Sequence, residues 1–175
     1  IESYQAVSAV QARARKTQMV VMADREADIH EVFAAQASTP HGAQLLIRAE
    51  RSRNRQVLGE EQTHASLWHT LEQQELLGRR EILIPPSDQR AARLAILEVR
   101  SAPVTLKPPK RSAHLAPVAV WAVWAKEINP PPEVEGLEWM LLTSVAVNSK
   151  EDAFERLNWY ARRWGIEVYH RILKS

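Results

Sequence analysis

A carboxylate at residue 24 directly follows a segment with the character of a buried strand. Residues 18–22 are Gln-Met-Val-Val-Met, a short apolar run, and charge begins abruptly with Asp24. Such a run predicts a strand buried within a sheet. In α/β proteins the polar groups at the carboxyl end of a strand face a crevice where ligands bind. We therefore expect Asp24 to line a candidate site.

A second set of chemically capable residues lies near the end of the chain. Residues 149–174 contain no proline and one glycine, Gly165, which predicts a single long helix. At about 100° per residue, an arc of about 60° on this helix contains Tyr160, Arg163, Glu167 and Lys174. Arg171 lies beside that arc. Carboxylate oxygen binds divalent cations, and Tyr, Arg and Lys donate to phosphate, so one helix face could serve both purposes.

The same helix face has a second interpretation. Arg163 and Glu167 are four residues apart, so they can form an ion pair on a solvated surface, with Arg171 as a further partner. Such a pair contributes only about 0.3 kcal/mol to helix stability. Helical spacing alone leaves both interpretations open.

The first 49 residues predict helices that alternate with strands. We expect helices at residues 4–16 and 29–37 and a second strand at residues 44–48. Glu26 and Asp28 are expected at the N-terminus of the second helix, where negative charge is stabilising. The layout favours an α/β fold.

Residues 50–145 have a different character and are called the insert below. Most of the ten prolines fall here, together with several short apolar runs. The insert predicts a helix at residues 61–77 and strands at residues 81–84, 93–100, 115–124 and 139–143. The long helix follows, with Ser149 as its expected N-cap and Asp152 three residues later in a weakened capping box.

Composition excludes several classes of protein. The chain has 175 residues, 45% of them apolar, which suffices for one core of ordinary size. Without cysteine there is neither a disulfide framework nor a thiolate zinc site, and the six histidines form no His-Glu-x-x-His pair. No run approaches the ~20 apolar residues of a membrane-spanning helix. We expect a cytoplasmic protein with no membrane partner.

Positive charge is gathered locally although the net charge is only +2. One basic run contains Arg48, Arg51, Arg53 and Arg55, and another contains Lys107, Lys110 and Arg111. A basic run by itself usually lies in a solvated loop, and it indicates nucleic-acid binding only when it lies beside a site.

Three stretches of the chain, in order, resemble the insertion-sequence-four family of Asp-Asp-Glu transposases. They are residues 24–30 (DREADIH), residues 127–131 with 139–144 (EINPP and WMLLTS), and residues 160–174 (YARRWGIEVYHRILK). The last stretch matches the Tyr-Arg-Glu-Lys signature of that family at all four positions. Any one stretch alone is a weak indication, whereas the ordered set spans nearly the whole chain and is specific.

The resemblance implies a role for each matched residue. Asp24 is similar to the second metal-binding carboxylate of the family's catalytic triad, and Glu167 is similar to the third. The residues that would contact DNA are Tyr160, Arg163 and Lys174 on a backbone phosphate, Arg171 where the family has lysine, Arg48 near the active site, and Trp139 under a flipped-out base. Without the resemblance, the apolar strand around Trp139 favours a place in the core.

The resemblance also implies a fold and an activity. The fold would be a ribonuclease-H-like α/β core, with the insert between the strand near Arg48 and the helix bearing Glu167. Residues 1–175 would form one catalytic-core fragment, divided into a ribonuclease-H-like part (1–49), the insert (50–145) and the catalytic helix (146–175). The activity would be phosphoryl transfer with two Mg²⁺ or Mn²⁺ ions, in the steps of nicking, hairpin formation and strand transfer.

The implied partners are the double-stranded DNA of transposon ends and of a target site, in a synaptic complex with a second copy of the full-length protein. The implied setting is the bacterial cytoplasm, in association with the nucleoid. The family's first aspartate has no counterpart before Asp24, where Glu2 is the only other carboxylate. We therefore expect a part of a longer protein that is inactive alone.

Two other classes of function remain open. One is a different ribonuclease-H-like nuclease or resolvase, which has no evident need for Trp139 or for the residues around Tyr160. The other is a non-catalytic DNA-binding remnant of a decayed transposase.

Overall fold

The computed structural model describes residues 1–14, 16–39, 41–59, 64–86 and 91–174, and the side chains of residues 164–174 lie outside this description. The helices are α1 (Glu2–Gln11), α2 (His30–Ala37), α3 (Leu67–Glu72) and α4 (Lys150–Lys174). The strands are β1 (Val20–Ala23), β2 (Gln44–Arg48), β3 (Gln56–Leu58), β4 (His64–Ser66), β5 (Gly78–Ile84), β6 (Arg93–Leu106), β7 (Val118–Glu127) and β8 (Glu138–Thr143). The protein is therefore mixed α/β, as the sequence predicts.

All eight strands belong to one sheet, in the order β1-β2-β8-β7-β6-β3-β4, with β5 also paired to β6. The β1–β2 pair is parallel, and the other described pairs are antiparallel. Because β8 pairs with β2, the strands of the insert continue the sheet that begins with β1. None of the helices in the described residues combines the length and apolar character needed to cross a membrane.

The two faces of the sheet bury different helices. Side chains alternate between the faces of a strand, so Leu45 and Ile47 pack with residues of α1, α2 and α3, whereas Leu46 packs with residues of α4. The same alternation places Val20 of β1 on the α4 side. Asp24, four residues after Val20, is therefore directed toward the face that α4 covers.

Helix α4 begins as predicted. The Asp152 amide donates to the Ser149 hydroxyl at 3.1 Å, and the Asp152 carboxylate accepts from the Ser149 amide at 3.1 Å. The Asn148 amide donates to the same carboxylate at 2.9 Å. This reciprocal bonding satisfies amides that the first turn of a helix leaves without helical partners, so it fixes where α4 starts.

The predicted helix at residues 61–77 is wrong for residues 64–66 and 73–77, and residues 61–63 lie outside the described residues. Residues 64–66 form β4, which pairs with β3, and the helix is confined to α3. Leu67 and Leu71 bury one side of that helix, but Leu76 is exposed beyond its end. A short apolar pattern is compatible with both helix and strand, and here pairing with β3 decides for strand.

Asp28 is a buried ion-pair residue, not the stabiliser of a helix N-terminus that the sequence predicts. Its side chain has no exposed surface, and one oxygen lies 2.5 Å from the Arg55 guanidinium. The other oxygen accepts from the Glu50 amide at 2.9 Å. The pair thus ties the segment after β1 to the segment after β2, close to where Asp24 is placed.

Asp28→Asn should destabilise the protein by about 3–5 kcal/mol, because it leaves the Arg55 charge buried without an opposite charge. Asparagine keeps the shape and can still accept from the Glu50 amide. The matched control is Glu98→Gln, which removes a partly exposed carboxylate paired with Arg79 and Arg100 and should cost less than about 1 kcal/mol. Urea unfolding of the two variants measures the difference, and equal losses would contradict the structural role of Asp28.

Candidate functional site

Asp24 lies at the carboxyl end of β1, as the sequence predicts. It caps a short 3₁₀ turn, and its Oδ1 accepts from the Arg25 amide at 2.8 Å. The parallel register pairs Ala23 with Ile47, so the next residues along the two strands, Asp24 and Arg48, are neighbours. Arg48 Nη1 is 3.9 Å from Asp24 Oδ1.

Helix α4 brings two of the predicted residues to the same carboxylate. The Tyr160 hydroxyl donates to Asp24 Oδ1 at 3.2 Å, and Arg163 Nη2 donates to Asp24 Oδ2 at 3.1 Å. Tyr160 is completely buried, and the Arg163 side chain is 17% exposed. Tyr160 and Arg163 therefore face the sheet, whereas the predicted ion pair of Arg163 with Glu167 involves a side chain outside the described residues.

The surroundings favour a charged Asp24. Partial burial raises the pKa of Asp24, but the Arg25 amide, Arg163, Arg48 and the Tyr160 hydroxyl together lower it below its usual value. The pKa of Tyr160 is raised by burial and by the negative charge of Asp24, so its hydroxyl keeps its proton at neutral pH. The site therefore holds a carboxylate at neutral pH, with a phenol and two guanidinium groups around it.

An open cavity of about 570 Å³ lies in front of Asp24 and Arg163. It is also lined by Arg25, Glu26, Glu50 and Arg53. Sequence reasoning did not assign Glu50, although a signal was available. Glu50 follows β2 closely, as Asp24 follows β1, and the carboxyl ends of adjacent parallel strands meet at one edge of a sheet.

A second cavity, of about 450 Å³, adjoins the first through Arg25 and Glu50, which line both. Arg48 and Arg51 line it as well. Arg51 makes two bonds to the Glu138 carboxylate, at 2.6 and 2.8 Å, and Arg48 donates to the Glu138 carbonyl at 3.1 Å. Arg48 and Arg51, two residues of the first basic run, therefore line a cavity that adjoins the one in front of Asp24.

The resemblance places Trp139 under a flipped-out base, which requires an accessible ring, but in the structure the ring is buried. Trp139 has no exposed surface, and its ring packs edge to face on Tyr160 with 5.0 Å between centroids. The alternation of β8 explains this, because Trp139 and Leu141 both point into the core beneath α4. The apolar strand around Trp139 predicts a place in the core, and the structure confirms that prediction.

Three other predicted residues, Glu167, Arg171 and Lys174, belong to α4, but their side chains lie outside the described residues. Their convergence with Asp24 stays a prediction. Among the described side chains, no three His, Asp or Glu residues are grouped so as to hold a metal ion. Asp24 nevertheless has the chemistry of a ligand for Mg²⁺, which prefers carboxylate oxygen and is often held by one or two protein carboxylates.

No model of a known protein family matches the chain.

Trp139→Ala should destabilise the protein by about 3–5 kcal/mol, because it removes a large ring from a closed part of the core. Tyr160→Phe is the matched control: it keeps the ring contact and loses only the hydroxyl bond to Asp24, so the cost should be about 1–3 kcal/mol. Chemical unfolding measures both. Unchanged stability in Trp139→Ala, combined with weaker DNA binding, would instead indicate an exposed ring that stacks on a base.

Proposed function

We propose that this chain is part of the catalytic core of an Asp-Asp-Glu transposase of the insertion-sequence-four type. The observation that carries the proposal is the meeting of Asp24 with Tyr160 and Arg163. These residues come from two of the three stretches that resemble the family, and 136 residues separate Asp24 from Tyr160. Residues that are distant in sequence therefore meet where the proposed chemistry requires them.

The proposal includes a ribonuclease-H-like arrangement of the strands and helices that carry the site. In its support, the parallel β1–β2 pair places Asp24 at a strand end, and α4 packs on the same face of the sheet. The insert lies between β2 and α4 in the chain, in the order expected for the family.

Asp24 is the proposed ligand for Mg²⁺ or Mn²⁺, together with Glu167 and a further carboxylate from outside the described residues. Bound ions would stabilise the attacking and leaving oxygens of a phosphoryl transfer. Among the described residues, Asp24 has the charge for this role at neutral pH, because its pKa is lowered. The open cavity in front of it admits a ligand from solvent.

Arg163 has two alternative anionic partners in this proposal. Its guanidinium bonds Asp24 here, and a guanidinium binds a phosphate oxygen with the same type of charge-assisted hydrogen bond. A cation bound at Asp24 would neutralise that carboxylate, and Arg163 would then be able to bind a DNA phosphate instead. Tyr160 remains a protonated donor throughout, since its pKa is raised.

The proposed reaction begins with attack of water on a DNA phosphorus, which breaks the bond to the 3′-oxygen and leaves a 3′-hydroxyl and a 5′-phosphate. It continues with attack of that 3′-hydroxyl on a second phosphodiester, whose own 3′-oxygen leaves. The substrates are duplex transposon ends and target DNA, and the acting species is a homodimer of the full-length protein. Base stacking on Trp139 is not part of the proposal, because that ring is buried.

Excision in cells tests this function, and the terminal DNA sequences need not be identified beforehand. A plasmid carries the gene within its natural flanking DNA, and amplification across the empty donor site measures excision. Asp24→Asn and Glu167→Gln should each lower excision at least about a thousandfold, since each removes a metal-binding charge worth several kcal/mol in the transition state.

Glu75→Gln is the matched control, because Glu75 is an exposed carboxylate that lines none of the cavities around Asp24. It should leave excision within a few-fold of the unmodified level. Undiminished excision by Asp24→Asn would contradict the proposal. Absence of excision from the unmodified gene, with DNA binding retained, would indicate the non-catalytic remnant, and metal-dependent nicking without excision would indicate a different nuclease.

A further inference from the structure

A third cavity, of about 450 Å³, lies between the two basic runs of the sequence. One wall is formed by residues 53–56, between a 3₁₀ turn and β3, and the other by residues 107–111, which follow β6. Asp28, Ile29 and His30 line its base. We call it the basic cleft, because the fold brings together here two runs that are about fifty residues apart in the chain.

Four cations of the basic cleft have little negative charge to offset them. They are Arg53, Lys107, Lys110 and Arg111, whereas Arg55 is already paired with Asp28. Within the described residues, no carboxylate forms an ion pair with any of the four. Lys107 Nζ lies 2.7 Å from the ring nitrogen Nε2 of His64, so its described side-chain partner is not a carboxylate.

Glu31, a carboxylate close enough to Arg111 to interact with its charge, is hydrogen-bonded to Ser112. Arg111 contributes to the lowered pKa of Glu31, but the largest cause is a hydrogen bond from the Ser112 hydroxyl. That bond also anchors the loop, because Ser112 is buried. The wall is stiffened further by Pro108 and Pro109, whose rings fix the backbone, so its cations lose little conformational freedom when they bind an anion.

The basic cleft adjoins the cavity in front of Asp24. Arg53 lines both, and Arg25 lines both the Asp24 cavity and the cavity that contains Arg48 and Arg51. The cavity in front of Asp24 is lined by equal numbers of carboxylates and cations, whereas the basic cleft beside it has an excess of cations. A cleft with cations on both walls fits an extended polyanion better than a single small anion, and a DNA strand presents one phosphate per nucleotide along its length.

We propose that the basic cleft is a binding site for the phosphate backbone of duplex DNA, distinct from the site at Asp24. Arg53, Lys107, Lys110 and Arg111 contact phosphates of the DNA that extends away from the reacting phosphodiester. Such contacts fix the position of the duplex and read no bases. The inference goes beyond the proposed function, because it assigns DNA binding to residues that the transposase resemblance leaves without a role.

The test measures the affinity of the protein for a fluorescent duplex of arbitrary sequence over a series of NaCl concentrations, without divalent metal. Lys110→Ala/Arg111→Ala should reduce the slope of log K against log salt by roughly 2, about 0.9 for each phosphate that the protein no longer neutralises. Both side chains are exposed, so the thermal unfolding midpoint should stay unchanged and a folding defect can be recognised.

Arg13→Ala/Lys16→Ala is the matched control, since it removes two exposed positive charges that precede β1, at the opposite end of that strand from Asp24. It should leave the slope unchanged. An unchanged slope in the cleft variant would overturn the proposal, and so would an equal reduction in the control. Inorganic phosphate at millimolar concentration could also compete with the DNA while the slope of log K against log salt stays unchanged. That result would show a small-anion site and would also overturn the proposal.

This measurement is independent of catalysis. If the cleft variant binds DNA normally while excision still requires Asp24, the cleft proposal fails and the transposase proposal stands. If Asp24→Asn excises normally while the cleft variant shows the reduced salt slope, the transposase proposal fails and the cleft proposal stands.

Discussion

The arrangement of the candidate site depends on one carboxylate that joins two distant parts of the chain. Asp24 accepts hydrogen bonds from the Arg25 amide beside it and from Tyr160 and Arg163 of α4. The parallel pairing of β1 with β2 adds Arg48 from a third segment. Since α4 packs on the face of the sheet toward which Asp24 is directed, the position of Asp24 at the end of β1 determines what the helix can contact.

Electrostatic balance is the constraint that gives this arrangement functional meaning. The carboxylate is charged because guanidinium groups and hydrogen-bond donors more than offset the effect of partial burial on its pKa. A site built in this way holds a negative charge ready for a cation while it keeps positive charge ready for an anion. Metal and phosphate bind side by side in phosphoryl transfer, and the proposed function assigns these two roles to Asp24 and Arg163, which are hydrogen-bonded to each other.

Sequence patterns predicted the parts of the fold that local physics controls. Apolar runs located β1, β2 and β8, and the Ser149–Asp152 box located the start of α4, because burial of a run and capping of a helix are decided by neighbouring residues. The position of Asp24 followed from the end of a strand. The order of strands in the sheet was not predicted, since the pairing of β2 with β8 joins residues about a hundred positions apart.

Tertiary context decided the residues that were misassigned. Asp28 lies near a helix N-terminus, but Arg55, far along the chain, makes it a buried ion pair. Trp139 has the residue type of a stacking platform, but the register of β8 turns it into the core. Glu50 lines the same cavity as Asp24 because the two strands that precede them, β2 and β1, pair in parallel. Recognising Glu50 as a neighbour of Asp24 therefore requires knowledge of that pairing.

Anomalous diffraction from crystals of the protein soaked in Mn²⁺ tests the central claim most directly, namely that Asp24 and α4 form a metal site. The expected result is a manganese peak within about 2.2 Å of an Asp24 carboxylate oxygen, with the Glu167 carboxylate beside it and Arg163 displaced from Asp24. The contradicting result is an ordered α4 in which the carboxyl groups of Asp24 and Glu167 lie more than about 10 Å apart, with no manganese between them.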